Sequence, residues 1–237
     1  MHIRTNIITP LSKTETLYRK DVVITIKDGL IKSITDSYEF DFTNSTVANK
    51  LHLITIPGLI DTHVHLSQWR IRGKYKNDLL EWLNTYTFKE ELKSFQSAYA
   101  KEVSEDFFAN LIKNGTTTAL IYVSISKEAT DIAFEEADRR GIRALIGKVN
   151  MDINSPDYLM EDSTKSLEES IELCEKWDNK RNLNFVFTPR FAPVCSEKLM
   201  RGIGDYAQKH SKYIQTHLSE NKNEIAMVKE MYPQYKS

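Results

Sequence analysis

Cysteine is nearly absent from this chain, with only Cys174 and Cys195 among its 237 residues, far apart in sequence. That excludes a disulfide framework and any zinc site built on several cysteines, and it suits a reducing compartment. Long apolar runs are missing as well. No stretch approaches the roughly 20 residues a membrane helix requires. The opening Met1-His-Ile-Arg-Thr-Asn6 lacks the basic-then-apolar pattern of a secretory signal. Neither sign of charge dominates: 32 basic and 33 acidic side chains leave a net −1, which points to neither nucleic acid nor an anionic membrane. There is no glycine-rich phosphate or dinucleotide loop. The His-x-Glu plus Pro-Cys-x-x-Cys signature of one zinc deaminase architecture is also absent. These absences predict a cytoplasmic protein with no nucleic-acid or membrane partner.

What is present has an ordinary globular profile, 41% hydrophobic and 27% charged. The length allows one large α/β domain or two smaller ones, each with a sizeable core. Residues 1–56 read as a β-rich segment. Val22, Ile24 and Ile26 alternate with Val23, Thr25 and Lys27, and Asp28-Gly29 then turns the chain into Leu30-Ile-Lys-Ser-Ile34. Positions 39–49 are polar and predict a loop.

From residue 57 to 237 apolar runs alternate with amphipathic segments. Strands are expected at 57–63, 116–122, 142–149, 184–188 and 213–217. The helices between them cover roughly 79–83, 97–113, 126–141, from 163 or 164 onward, from 196 onward, and 223–231. Repeated strand–helix alternation means a parallel sheet with crossover helices. Polar residues recur where strands end: His63 and His65, Tyr122, Lys148, Arg190 and His217. An α/β barrel keeps its chemistry at such ends. A complete (β/α)8 barrel occupies roughly 250 residues, so a TIM-like barrel is expected to be incomplete here, with about five βα units.

The chain is organised around Pro57-Gly-Leu-Ile-Asp-Thr-His-Val-His65, where the apolar run Ile54, Ile56, Leu59 and Ile60 reads as a buried strand closed by two histidines. Side chains two apart on a strand share a face, so His63 and His65 present two imidazoles to one point. A lone His-x-His is equally compatible with two polar residues closing a strand, because zinc needs three or four ligands. His217 ends Ile214-Gln-Thr-His and offers a third imidazole from another strand end. Glu220, three residues later, is placed either to shuttle protons beside a metal or simply to sit at a helix N-terminus. Lys148 admits two readings: a solvated lysine, or a carboxylated one bridging two metals.

Taken together, Pro57-Gly-Leu-Ile-Asp-Thr-His-Val-His65, Asn114-Gly-Thr-Thr-Thr118 and Thr216-His-Leu-Ser-Glu220 resemble the amidohydrolase superfamily of metallo-dependent hydrolases. Five further segments narrow the resemblance to the guanine deaminases: Ser67-Gln68, Leu79-Leu-Glu-Trp-Leu-Asn-Thr-Tyr-Thr-Phe88, Gly147-Lys-Val-Asn-Met-Asp152, Thr188-Pro-Arg-Phe191 and His217-Leu-Ser-Glu-Asn221. The resemblance runs from about residue 57 to the last, and residues 1–56 then correspond to part of a small β-sandwich. It implies hydrolysis of guanine by water to xanthine and ammonia, in purine catabolism. It also implies one Zn²⁺ per subunit and a homodimer at full length. By that resemblance His63, His65 and His217 bind the metal, and Glu220 is catalytic. Gln68, Arg190, Phe191 and His217 hold the purine while Trp82 and Leu83 cover it. An arginine suits a ring carbonyl, an amide suits ring nitrogens and an aromatic face suits a planar base.

The family pattern goes on to a fourth histidine and a metal-binding aspartate that also acts as base, and the remaining histidines here, His2, His52 and His210, cannot stand in for it. Truncation at the C-terminus is therefore expected. Two other readings stay open: a relative acting on cytosine, adenine-type bases or triazines, and a non-catalytic fragment.

Overall fold

Alternating hydrophobicity in the first stretch builds β1 (His2–Pro10), β2 (Thr16–Lys27), β3 (Leu30–Asp36) and β4 (Val47–Thr55). They form one sheet in the order β3-β2-β1-β4, with β4 parallel to β1 and the other pairs antiparallel. Asp28 and Gly29 make the β2–β3 turn with φ of 51° and 74°, the left-handed conformation such a hairpin needs. The expected loop at 39–49 is shorter than its polarity suggests. Ser37–Glu39 forms a 3₁₀ turn and β4 begins at Val47, where pairing with β1 overrides a polar sequence. The core of this sheet is small: Ile7, Val22 and Ile24, with Ile26 against them.

The computed structural model describes residues 1–235 and divides them after Gly58, each part being compact in itself. The second part opens with β5 (Leu59–His65). The helical stretch α1 (Leu79–Trp82), a π turn Leu83–Thr87 and α2 (Phe88–Leu92) follow without a break. Next come α3 (Ser97–Lys113), β6 (Thr116–Tyr122), α4 (Lys127–Arg140), β7 (Arg143–Gly147) and β8 (Val149–Asn150). The chain continues through α5 (Ser163–Trp177), β9 (Leu183–Pro189), α6 (Glu197–His210), β10 (Tyr213–Ile214) and α7 (Lys222–Met231). All strand pairs here are parallel, in the order β5-β6-β7-β9-β10, with β8 extending the contact to β9. These are successive βα units of a TIM-like barrel wall.

Local chemistry sets the boundaries. Ser126 caps α4 by accepting from the Ala129 N–H at 3.1 Å, and Gly141 ends it at φ 71°. Asp162 caps α5 through the Thr164 and Lys165 N–H groups. Gly147 is required by packing, since a Cβ there would lie 2.4 Å from the Val186 carbonyl oxygen. The strands meet the helices through Phe107, Ala119, Ile121, Phe134, Ile146, Phe185 and Phe187, all 0% exposed. Burying each of the phenylalanines and isoleucines among them contributes roughly 1.5–3 kcal/mol.

Three expectations need correction. The apolar run ahead of the histidines is neither one strand nor buried. Ile54 belongs to β4, Pro57-Gly58 interrupts, and Leu59 and Ile60 stand 50% and 68% exposed on β5. Among the described residues β5 pairs with β6 alone, which leaves its other edge open. The expected strand at 142–149 breaks at Lys148, whose side chain turns into a buried ion pair while β8 resumes against β9. The expected strand at 213–217 shrinks to Tyr213–Ile214, although the Gln215 N–H still reaches the Phe187 carbonyl at 2.9 Å.

Candidate active site

Two residues apart on β5, His63 and His65 do turn towards one point, with ring centroids 5.2 Å apart. His217 arrives from beyond β10. Its backbone N–H bonds the Arg190 carbonyl at 3.0 Å, and Nδ1 of its ring lies 2.7 Å from the same oxygen. A carbonyl only accepts, so Nδ1 carries the proton and Nε2 keeps its lone pair. That Nε2 faces Nε2 of His65 at 3.0 Å across rings tilted by only 17°. One ring nitrogen from each of the three histidines lies within 4.8 Å of the others. The Tyr122 ring, almost fully buried at the end of β6, floors the group 4.6–4.9 Å from all three imidazoles.

This donor set fits a small divalent cation. Tetrahedral bonds of about 2.0–2.1 Å place neighbouring ligand nitrogens about 3.4 Å apart, a spacing bracketed by the 3.0 Å between His65 and His217 and the 4.8 Å limit of the whole cluster. Burial drives the pKa of His217 down to about 4 and that of His65 well below the ordinary imidazole range, so both are neutral ligands at pH 7. Nδ1 of His65 is buried without a partner among the described residues. Three convergent imidazole nitrogens are the donors such a cation takes, and the unpartnered His65 Nδ1 shows that the protein alone does not satisfy this ring.

Above the histidines opens a cavity of about 140 Å³. His63, His65, His217 and Glu220 line one part of its wall, and Gln68, Arg190 and Phe191 another. Trp82 and Leu83, with Leu79, come from the helical stretch after β5. Every residue expected from the sequence to serve the site is thus brought to one cavity. Their environments differ. Arg190, directly after β9, is 2% exposed, and its Nη1 donates to Glu91 at 2.6 Å. Gln68 donates its amide N–H to the other oxygen of Glu91 at 3.1 Å. Glu220 is exposed at the rim, in a turn where Ser219 has φ 57°.

Reasoning from sequence missed two carboxylates behind this wall. Glu91 lies in a Lys89-Glu90-Glu91 run that looks like a solvated helix face, and no local signal marks it as 1% exposed. Glu224 takes the backbone N–H groups of Ser219, Glu220 and Asn221 at 2.7–3.2 Å, holding the turn that carries Glu220. Its signal was present in the Asn221-x-x-Glu224 capping box that starts α7. Lys148 takes no part: it is fully buried against Glu161 and 3.7 Å from Glu169, away from the cavity. His2 and His52 lie on β1 and β4, and His210 closes α6 stacked on Tyr206.

Comparison with known proteins agrees with this arrangement. Residues 54–236 match the model of the Amidohydrolase family. Guanine deaminase of Escherichia coli is 40% identical over 183 residues, covering 77% of this chain and 42% of that protein. The crystal structure of guanine deaminase from C. acetobutylicum with bound guanine superposes with TM-score 0.93 at 36% identity, over 99% of this chain and 57% of that one. A mutant atrazine chlorohydrolase from Arthrobacter aurescens shares the fold at TM-score 0.82 and 18% identity, over 98% of this chain and 55% of its own. The chain spans less than half the length of the curated E. coli relative.

Proposed function

Because the chain belongs to the amidohydrolase family, we propose that its site serves the hydrolytic deamination of guanine to xanthine and ammonia. One observation carries this reading: a single cavity unites three convergent imidazoles, a rim carboxylate and the Gln68, Arg190 and Phe191 wall. The relatives named guanine deaminase support the choice of base.

His63, His65 and His217 would hold one Zn²⁺ per subunit. Bound there, zinc supplies Lewis acidity and brings the pKa of water towards neutrality. The protein's own groups do the rest. Glu220, at the rim, takes a proton from the attacking water and passes it to ring nitrogen N3, and then carries the proton of the new C2 hydroxyl to the amino nitrogen, which departs as ammonia. Phe191 offers a flat apolar face, and Trp82 and Leu83 close over the other side and exclude water. Arg190 donates to ring carbonyl and nitrogen acceptors, and Gln68 reads the base beside it. His217 touches both the metal position and the bound base. The same reading carries a cytoplasmic homodimer acting in guanine catabolism, with the first sheet forming part of a small β-sandwich. Among the described residues no helix is long and apolar enough to cross a membrane.

The test is ultraviolet-monitored conversion of guanine to xanthine by the zinc-supplemented chain, with His217→Ala as control and cytosine, adenine and a triazine as rivals. Guanine turnover lost in the control supports the reading. Faster turnover of a rival retires guanine as the substrate.

A further inference from the structure

Glu91 does not line the cavity, yet both polar groups expected to read the base end on its two oxygens. Gln68 Nε2 donates to Oε1 at 3.1 Å and Arg190 Nη1 donates to Oε2 at 2.6 Å. The side chains of Arg190 and Glu91 are 3% and 1% exposed, so this pair is sealed from water. A carboxylate held against a guanidinium accepts hydrogen bonds and donates none. The amide of Gln68 therefore has one permitted orientation. Its NH₂ must face Glu91, which leaves Oε1, a pure acceptor, for the cavity. Arg190 spends Nη1 on Glu91 and makes no side-chain bond to protein through Nε or Nη2 among the described residues. Those atoms remain as donors.

We propose that Glu91 is a positioning residue that fixes the polarity of the base-reading wall, turning Gln68 to present an acceptor and Arg190 to present donors. This rests on the reading of the cavity as a purine site. A wall of that polarity matches the guanine edge, where a carbonyl acceptor adjoins a ring N–H donor. It mismatches adenine, whose corresponding edge carries an amino donor beside an unprotonated ring nitrogen. An unanchored glutamine would rotate its amide and serve either base. A carboxylate behind the wall removes that freedom, and discrimination follows from the unpaired buried groups a wrong base would leave.

The test is equilibrium binding of guanine and adenine to the zinc-loaded full chain, read by quenching of tryptophan fluorescence, for the natural protein and Glu91→Gln. Zinc affinity is measured in parallel by competition with a chromophoric chelator. Expected is a guanine preference that Glu91→Gln reduces by about tenfold or more, about 1.4 kcal/mol, while zinc affinity stays unchanged. A merely structural role for Glu91 would weaken both bases alike and leave their ratio intact, and that result overturns the proposal. If Glu91→Gln does not fold, Glu91→Asp keeps the charge beside Arg190 while shortening the reach. A narrowed preference in Glu91→Asp supports the proposal, and an unchanged one overturns it. If the natural protein itself shows no guanine preference, the purine reading fails first and takes the role of Glu91 with it.

Discussion

Nε2 of His65 and Nε2 of His217 face each other at 3.0 Å although the residues stand 152 positions apart in sequence. One comes from the end of β5 and the other from beyond β10, opposite edges of the same parallel sheet. Two neutral lone pairs at that distance repel unless a proton or a cation lies between them. A neutral His65 can hold its one ring proton on Nε2 and donate it to the His217 lone pair, while a cation bound by the cluster engages both lone pairs at once.

Zinc should therefore stabilise the fold. At a free concentration one hundred times its dissociation constant the gain is about 2.7 kcal/mol, visible as a rise in melting temperature. His217→Ala removes one of three ligands and should abolish that rise. An equal rise in the variant would place the metal elsewhere.

Lys148 bears on metal count. Its ammonium is 0% exposed and paired with Glu161. Lys148→Met strands that carboxylate and should cost about 3–5 kcal/mol in denaturant unfolding. Zinc affinity and a stoichiometry of one should persist, because Lys148 lies away from the cavity. Loss of zinc binding in the folded variant would revive the bridging role.

The two thiols should be inert in the native protein. Burial raises Cys174 to about 11 and Cys195 to about 12. At pH 8 only about one Cys174 in a thousand is then ionised, so reaction with a disulfide reagent should run at least about a hundredfold slower than for a free thiol. An unfolded thiol ionises near pH 8.5, while the native thiols still hold their protons. Stability is accordingly full below that pH and declines as pH rises towards 11. Rapid labelling at pH 8 without denaturant would contradict this.

Phe134 is the packing test. Its ring stacks on Trp177 at 5.2 Å and 7° and lies 6.2 Å from Phe185, with no exposure. Phe134→Ala should destabilise by about 3–5 kcal/mol. A cost under about 1 kcal/mol would mean that α4 is not clamped to the sheet as described.

How far the sequence reveals this site depends on residue chemistry. The histidines are legible because a strand period of two forces His63 and His65 to one side, and because His217 follows closely on another short strand. The strand–helix alternation likewise declares a parallel sheet. The exposure of Leu59 and Ile60 is not legible, since apolar character alone cannot tell an open edge from a paired one. The break at Lys148 is hidden too, because Glu161 lies 13 residues away and only the fold brings it near. Glu91 is least visible: two of its partners stand 23 and 99 residues distant, and its own helix reads as polar.

The most direct measurement is a crystal structure of the chain grown with zinc and guanine. Zinc is expected on His63, His65 and His217, with the base against Phe191 and its edge on Gln68 and Arg190. Zinc bound elsewhere, or guanine absent from this cavity with zinc in place, would contradict this assignment.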